Sequence, residues 1–392
     1  MQVLRVNPAG YQPSGSVLAD RIAANPGSLW LVGNEPDCIY QDNILPQTYA
    51  QVYHDAYAFI KSHDPTAKVA AGGIVQPTPL RIEYLDIVLN TYTSLYGELM
   101  PTDAWHIHTF ILREASCAVY PGECWGSEIP PGISADHGMM YDLEDTDNLN
   151  VFQDRIVQFR QWMRDRGYRD TPLIITEFGT LVPHSYQGWD EERGKVFMYG
   201  AFDFLLTADD PDLGYPADEN RLVQRWLWYS LDDTAYGGTL FDPSTLDLLP
   251  MGAYFGAYTG AISPTVDLLA VDVGQVAPIP LAPVGAATIT LQARVSNVGN
   301  VPITGPVTVR FLDGEGQQIG SDQAISTAVA GCAATEKVTM VWPNVMPGAY
   351  VVQVVVDPED VVSEGNEGNN ETSGVVLVAK TQAFLPLITR EQ

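Results

Sequence analysis

Two glutamates, Glu35 and Glu177, are the residues of this sequence best placed to do chemistry. Glu35 follows the apolar run 29–32 and Glu177 follows the run 173–175, and each run has the length and bulk of a buried strand. Pro36 prevents the first of these strands from continuing its hydrogen-bond ladder. A carboxylate at the end of a buried strand is costly unless something there uses it. The pair therefore predicts paired-carboxylate chemistry.

The elements that must position these carboxylates alternate between strand-like and helix-like segments over residues 1–262. This alternation predicts a parallel sheet wrapped by helices. The predicted strands are 3–6, 29–32, 68–73, 104–110, 173–177 and 225–231, and the predicted helices are 14–24, 47–63, 80–96, 151–166, 191–206 and 249–258. In a barrel of such units the carboxyl ends of the strands form the active-site face, which would bring both glutamates to one rim.

The pattern of predicted secondary structure changes near residue 263. From residue 266 onward the pattern is one of short alternating strands separated by turns rich in Gly, Pro and Asn. About seven strands in roughly 110 residues is what an immunoglobulin-like β-sandwich requires. The predicted fold class is α/β plus all-β, with a barrel domain at 1–262, a linker at 263–265, a sandwich at 266–378 and a tail at 379–392.

The charge balance excludes several classes of partner. With 20 Lys+Arg against 48 Asp+Glu, the 392-residue chain carries a net charge of −28. Such acidity argues against nucleic acid and against an anionic membrane surface, whereas a neutral substrate is compatible with it. No apolar run is long enough to span a bilayer, so we expect no membrane insertion.

The cysteines bear on the compartment in which the protein works. Cys117 and Cys124 bracket a short segment whose sequence is typical of a loop tip, where a disulfide would close easily. Such a disulfide would fit an oxidising compartment. Two unrelated free thiols are the alternative. Residues 1–10 lack the basic and apolar regions of a signal peptide, so targeting sequence does not itself indicate export.

The motifs that carry the two glutamates resemble a known family. Gly-Asn-Glu-Pro at 33–36 and Ile-Thr-Glu-Phe-Gly at 175–179 resemble the retaining (β/α)8 glycoside hydrolases with catalytic glutamates on strands four and seven, over about two thirds of the chain. The resemblance implies that Asn34 contacts the sugar 2-hydroxyl, Glu35 is the general acid/base and Glu177 is the nucleophile. It also implies cleavage of a β-linked glycan with retention, through a covalent glycosyl-enzyme intermediate.

Counting strands outward from Glu35 leaves six of the eight that such a barrel needs. We therefore expect a barrel that lacks about its first two βα units, so that the chain is an N-terminally truncated form. An open fragment would expose edge backbone and one side of its core. This expectation favours a rival reading, in which the chain is a non-catalytic cell-surface adhesion or glycan-binding protein with a degenerate barrel.

A second resemblance covers the sandwich. The segments 295–302 (VSNVGNVP) and 356–370 (VDPEDVVSEGNEGNN) resemble the CARDB family, named for cell-adhesion-related bacterial domains. That resemblance implies a spacer or adhesion module outside the cell, able to contact a cell surface or a glycan, with no catalysis of its own. It predicts a secreted or surface-attached protein whose partner is an oligosaccharide or polysaccharide.

Three further side chains are candidate substrate contacts. His106 and His108 share one face of their strand because side chains alternate with period two. They are expected to contact the substrate or the nucleophile, with a metal site or plain packing as alternatives. Trp228 is the candidate aromatic floor for a sugar, since sugar C–H faces pack on aromatic rings; core packing is the alternative. We expect no cofactor and no metal, and a metal hydrolase is the third functional hypothesis.

Overall fold

A computed structural model of the chain describes residues 1–183, 186–282 and 285–380. These residues form two compact units, the first made of 1–215 and 220–262, the second of 216–219 together with the chain from 263 onward. Most of the predicted tail, 381–392, lies outside the described residues. None of the helices in the described ranges is both long and apolar enough to cross a membrane.

The first unit is built on a seven-stranded sheet with the order β2-β1-β3-β4-β5-β6-β7. All neighbouring pairs are parallel except β1 and β2, which form an antiparallel hairpin. The strands are β1 (Gln2–Asn7), β2 (Gly10–Gln12), β3 (Leu29–Val32), β4 (Lys68–Ile74), β5 (Ala104–His108), β6 (Leu173–Phe178) and β7 (Arg225–Trp228). The six parallel strands are the predicted ones, and only the short β2 was not expected.

The described part of this unit contains six α-helices, five between successive strands and one after β7, each within about two residues of its predicted bounds. They are α1 (Gly15–Ala24), α2 (Pro46–His63), α3 (Pro79–Tyr96), α4 (Leu149–Asp165), α5 (Glu191–Thr207) and α6 (Pro250–Gly260). A proline opens α2, α3 and α6, where its missing N–H costs nothing. The Asn148 and Asp190 side chains cap α4 and α5 by accepting from backbone N–H groups of the first turn.

The sheet of the first unit curls but does not close among the described residues. No pairing joins β1 to β7, so a complete (β/α)8 barrel is not formed by the described part of the chain. Even so, Val3 of β1 and Leu227 of β7 line the same cavity of about 140 Å³. β1 and β7 lie near opposite ends of the sheet order, so they can share a cavity only if the sheet bends round toward itself, which is the curvature that a barrel requires.

The second unit is a sandwich of two antiparallel sheets, with strand orders β11-β10-β13-β14 and β12-β9-β8. Its strands are β8 (Leu268–Gln275), β9 (Ala287–Asn297), β10 (Val307–Asp313), β11 (Gln323–Ile325), β12 (Ala334–Val345), β13 (Gly348–Val356) and β14 (Glu371–Val378). The predicted count of about seven strands is therefore confirmed. Alternate residues point inward and form a separate apolar core.

The sandwich core yields a prediction about stability. Phe311 is 0% exposed in that core, whereas Val361 is 80% exposed in a loop of the same unit. Truncating Phe311 leaves a cavity, so Phe311→Ala should lower the free energy of unfolding by about 3–5 kcal/mol. Val361→Ala is the matched control and should leave it within about 0.5 kcal/mol. Chemical denaturation measures both, and equal effects would contradict the packing described.

Candidate active site

Glu35 lies in a tight turn at the carboxyl end of β3. Its φ is +49°, a left-handed conformation that is uncommon for a residue with a side chain. Its backbone N–H donates to the carbonyl of Gly73 at 2.8 Å, while the N–H of Cys38 donates to the Glu35 carbonyl at 3.0 Å. These bonds hold the backbone on both sides of the catalytic candidate and keep the strained residue in place.

The turn is also fixed from the side of β1. Asp42 is 8% exposed, and its Oδ2 accepts from the backbone N–H of Val6 at 3.0 Å and of Asn34 at 2.8 Å. Its Oδ1 is ion-paired with Arg5. A single carboxylate therefore ties the β3 turn to the neighbouring strand, and Asn34 is the residue that it holds directly.

Glycines in β4 let a histidine of β5 reach the interior. A Cβ on Gly73 would lie 2.7 Å from Cε1 of His106, and Gly72 and Gly73 both have positive φ. The imidazole of His106 therefore packs where any larger residue would collide with it. The Nδ1 atom of His106 lies 3.3 Å from the hydroxyl of Thr176, directly before Glu177.

His108 bridges the two glutamates. Its Nδ1 atom lies 2.9 Å from Glu35 Oε1, a hydrogen bond, and 3.5 Å from Glu177 Oε2 as an ion-pair contact. One ligand atom from each of the three residues lies within 4.8 Å of the others. Residues that are far apart in sequence thus meet because β3, β5 and β6 end at the same edge of the sheet.

The charges of this cluster shift one another. Burial raises the pKa of Glu177; the charge of His108 opposes that shift, and the charge of Glu35 adds to it. Burial by itself lowers the pKa of His108, but the hydrogen bond to Glu35 and the charges of Glu177 and Glu35 outweigh it, so this pKa is raised. Glu177 is therefore readier to keep a proton than an exposed glutamate would be.

His106 behaves in the opposite way. Burial, and then the neighbouring charge of His108, lower the pKa of His106 to about 3. This histidine is therefore neutral whenever His108 is charged. Asn34, His106, His108 and Glu177 all line the small cavity of about 140 Å³ inside the sheet, so the structure brings these candidate residues together.

A buried arginine holds the walls of the site. Arg81 is 0% exposed and donates five hydrogen bonds, one for each of its N–H groups. Its acceptors are the carboxylate and the carbonyl of Asp37, the carboxylate of Glu114, and the carbonyls of Ser127 and Glu128, at 2.6–3.0 Å. Asp37 stands two residues after Glu35, so Arg81 connects the turn that carries Glu35 to the loops that follow β5.

Above the glutamates lies an open cleft of about 510 Å³, a volume typical of ligand pockets. Glu35 and Glu177 are among its lining residues. Its walls carry several aromatic side chains, namely Tyr40, Phe110, Trp125, Tyr229 and Tyr236. Polar groups among the lining residues include Gln41 and Ser127. Such a cleft can hold a ligand that is both hydroxylated and apolar on its faces.

The prediction for Trp228 needs correction. Trp228 pairs in register with Phe178, and neighbours in register on parallel strands share a face. Phe178 faces the helices, because the neighbouring Glu177 faces the cleft. Trp228 therefore packs on the helix side of the sheet. Its ring centroid lies 5.4 Å from that of Phe178 and 6.1 Å from that of Phe202. The next residue, Tyr229, is the one that lines the cleft.

Tyr229 thus lines the cleft although the sequence pattern did not single it out. Its hydroxyl donates to Asp233, and its ring stands edge-on to Phe110 at 5.6 Å between centroids. The alternation of side chains along β7 could have pointed to it, because Trp228 and Tyr229 must face opposite sides. The choice between them depended on knowing which face carries Glu177.

The predicted disulfide is present in the loop after β5. Cys117 and Cys124 are bonded, while Cys38 is a buried free thiol and Cys332 an exposed one. Cys38 lines the cleft, and burial raises its pKa to about 12, so it carries no thiolate to act as a nucleophile. The only group of at least three possible metal ligands found among the described residues is Glu35, His108 and Glu177.

Comparison with known proteins identifies the second unit. A sequence profile of the CARDB family matches residues 267–374, so this part of the chain is a CARDB domain, as its motifs predicted. The crystal structure of a CARDB domain from Pyrococcus furiosus, solved with di-metal ions, is similar over 30% of this chain and 98% of its own at 21% identity, with a TM-score of 0.25. No curated protein matches the chain.

The first unit has neighbours among solved structures at low similarity. A GH128 (subgroup II) endo-beta-1,3-glucanase from Pseudomonas viridiflava matches with 18% identity, covering 64% of this chain and 76% of its own, at a TM-score of 0.42. A GH128 (subgroup I) endo-beta-1,3-glucanase from Amycolatopsis mediterranei, solved with laminaritriose, matches with 14% identity, covering 62% and 77%, at a TM-score of 0.39.

The arginine at the centre of the walls gives a second prediction. Arg81→Met keeps the apolar stem but leaves the buried carboxylates of Asp37 and Glu114 without their shared cation. Breaking a buried pair in this way should lower the free energy of unfolding by about 3–5 kcal/mol. Arg164→Met removes an exposed pair with Asp165 and should cost at most about 1 kcal/mol. Denaturant titration compares them, and a small effect at Arg81 would refute its central role.

Proposed function

We propose that the first unit is a glycoside hydrolase that cleaves a β-linked glycan with retention of configuration. The observation that supports this most is the pair of carboxyls: one oxygen of Glu35 lies within 4.8 Å of one oxygen of Glu177. Retaining enzymes hold their carboxyls about 5–5.5 Å apart, whereas inverting enzymes leave about 6.5–9.5 Å for a water molecule. The separation found here favours direct attack of a carboxylate on the sugar.

In the proposed mechanism Glu177 attacks the anomeric carbon while Glu35 gives its proton to the departing glycosidic oxygen. The C–O bond to the leaving group breaks as the Glu177 ester bond forms. Glu35, now ionised, then takes a proton from water, whose oxygen displaces Glu177 and restores both carboxyls. Asn34 and His106, which line the cavity beside Glu177, are proposed to contact the bound sugar.

These roles come from the motif resemblance, and the charges of the free site bear on them. It is Glu177 whose pKa is raised, while Glu35 accepts the hydrogen bond from His108. Burial therefore favours the protonated form of Glu177 in the free site. In the proposed mechanism Glu177 must be ionised to attack, and the variants described below separate the roles of the two glutamates.

The substrate class follows from the cleft and the overall charge. Aromatic walls suit the C–H faces of sugars, and the net charge of −28 disfavours an anionic glycan. The CARDB domain and the Cys117–Cys124 disulfide support a secreted or cell-surface location, because disulfides persist in oxidising compartments. A surface or glycan contact is the role proposed for the CARDB domain.

A second candidate is a glycan-binding protein without catalysis. The open sheet favours it: β1 and β7 are unpaired with each other among the described residues, and Glu177 keeps 28% of its side chain exposed. Catalytic sites gain from excluding water, and a gap in the wall admits it. Binding of glycans with no hydrolysis of any of them would support this candidate.

The decisive experiment uses aryl β-glycosides and a panel of neutral glucans, β-1,3-glucan among them. Glu35→Ala should lower kcat/KM for unactivated glycans by about 10²–10⁴-fold. It should have little effect on kcat/KM for aryl glycosides, because their leaving group departs without being protonated. Glu177→Ala should abolish turnover of both. Azide should rescue each variant with a different product: a glycosyl azide of retained configuration from Glu35→Ala, and one of inverted configuration from Glu177→Ala. Glu83→Ala, an exposed carboxylate on α3, is the control.

Each other outcome has a definite meaning. Exchanged azide products would reverse the two roles and agree with the raised pKa of Glu177. Undiminished activity of Glu177→Ala would refute the assignment altogether. Loss of activity on chelation, with recovery on adding zinc, would instead support a metal hydrolase that uses Glu35, His108 and Glu177 as ligands.

The position of His108 gives a prediction about pH. Protonated His108 lowers the pKa of Glu177, so removing that charge should raise it. In His108→Asn the amide can still donate to Glu35, but the charge is gone. A nucleophile must be ionised, so the acidic limb of the kcat/KM profile should move to higher pH. His137→Asn, in an exposed loop, should leave the limb in place, and an unmoved limb in His108→Asn would contradict the coupling.

A further inference from the structure

Trp125 combines an apolar support with access to the cleft. Its indole packs against a small cluster formed by Val75, Phe110 and Leu112, and it lines the cleft that contains the two glutamates. The ring is only partly buried. A tryptophan needed solely for packing would gain from complete burial, so a ring that stops at the edge of a cleft leaves part of its surface for a ligand.

The segment that carries Trp125 is held unusually firmly for a loop. Cys124, the residue before it, is bonded to Cys117. Gly126, the residue after it, has a φ of +101°, and a Cβ there would lie 2.5 Å from the carbonyl oxygen of Arg113. The backbone is thus restrained by a covalent bond at the residue before Trp125 and by close contact with Arg113 at the residue after it.

Two arginines add to these restraints. The guanidinium of Arg113 lies 5.8 Å from the Trp125 ring centroid, within the range of a cation–π contact. Arg81 donates to the carbonyls of Ser127 and Glu128 at 3.0 and 2.9 Å. The same Arg81 holds Asp37 in the turn of Glu35. Trp125 is therefore kept in a fixed position relative to the proposed acid.

We propose that Trp125 is a sugar-stacking platform that sets the preference of the cleft for longer glycans, and that the Cys117–Cys124 disulfide keeps it in place. The proposal rests on the proposed function of the cleft. Trp125 belongs to the loop after β5 and not to the strand ends that carry the carboxylates, so it serves a sugar unit beside the one attacked. A rigid aromatic anchor loses little conformational entropy on binding, which makes it an effective contact.

Chain length distinguishes such a platform from a general effect on the site. An oligosaccharide too short to reach Trp125 should bind equally well with or without the indole. Longer ones should lose the stacking contribution. Loss of the disulfide should act in the same direction, because the loop then has more conformations to give up when a sugar binds.

Isothermal titration with Glu177→Gln protein tests this without requiring turnover. The probes are β-1,3- and β-1,4-gluco-oligosaccharides from disaccharide to hexasaccharide. Adding Trp125→Ala should weaken binding of the longest probes about tenfold, which corresponds to about 1.4 kcal/mol, and leave disaccharides unchanged. Trp342→Ala, a half-buried tryptophan of the CARDB domain, is the matched control and should change neither. Trp125→Phe should restore most of the affinity.

The disulfide is tested by Cys117→Ser with Cys124→Ser in a chain that retains Glu35 and Glu177. The KM for long oligosaccharides should rise relative to the KM for short ones, whereas a general loss of structure would lower kcat for all of them alike. Equal effects on long and short probes would overturn the role given to the disulfide.

The outcomes separate this proposal from the one on which it depends. If Glu177→Gln protein binds none of the probes, the platform is overturned, whereas the proposed function is decided separately by turnover in the Glu35 and Glu177 variants. If it binds them and Trp125→Ala changes nothing, only the platform is overturned. Should Trp125→Ala fail to fold, Trp125→Phe decides: it must lose the fluorescence change that oligosaccharide causes in the Glu177→Gln protein, and keeping that change in full would exclude contact with the indole.

Discussion

One buried guanidinium, that of Arg81, is the interaction on which the site depends. It has no exposed surface, and all five of its N–H groups are used within the protein. Removing such a group from water is expensive, and the expense is offset only because two carboxylates and three carbonyls meet it in good geometry. Those acceptors come from three separate segments, around Asp37, Glu114 and Ser127. The turn of Glu35 and the wall that carries Trp125 are therefore positioned by the same group.

The centre of the site balances opposed electrostatic effects. Two carboxyls close together repel each other, and burial makes the charge of Glu177 more costly still. His108 offsets this by lying within 3.5 Å of an oxygen of each glutamate. His106, two residues away on the same face, stays neutral because it is buried beside that positive charge. The charge of His108 thus compensates part of what burial costs at Glu177, and the neutral His106 adds no further charge to the site.

The placement of the site within the sheet explains how an open sheet can still form it. Glu35, His108 and Glu177 follow or belong to β3, β5 and β6, which are internal strands with partners on both sides. β7 at one end of the sheet and β1, which lies next to β2 at the other end, contribute Leu227 and Val3 to the side of the inner cavity. These residues are 42% and 47% exposed. The geometry of the carboxylates is therefore set by paired strands, while the shielding of the cavity from water depends on the edges.

The sequence by itself determined the elements and the identity of the carboxylates. Buried strands and amphipathic helices leave a strong local periodicity, and a glutamate between an apolar run and a glycine or proline is conspicuous, so Glu35, Glu177 and the two histidines of β5 could be recognised without coordinates. The sandwich and its CARDB motifs were equally local signals. Tertiary structure alone decided which face of β7 meets the cleft, and with it the choice of Tyr229 over Trp228, because that depends on register with β6. It also decided the role of Arg81. In the sequence, an arginine within a helix cannot be distinguished from one on the surface, and only the fold brings the three distant segments that accept its hydrogen bonds together.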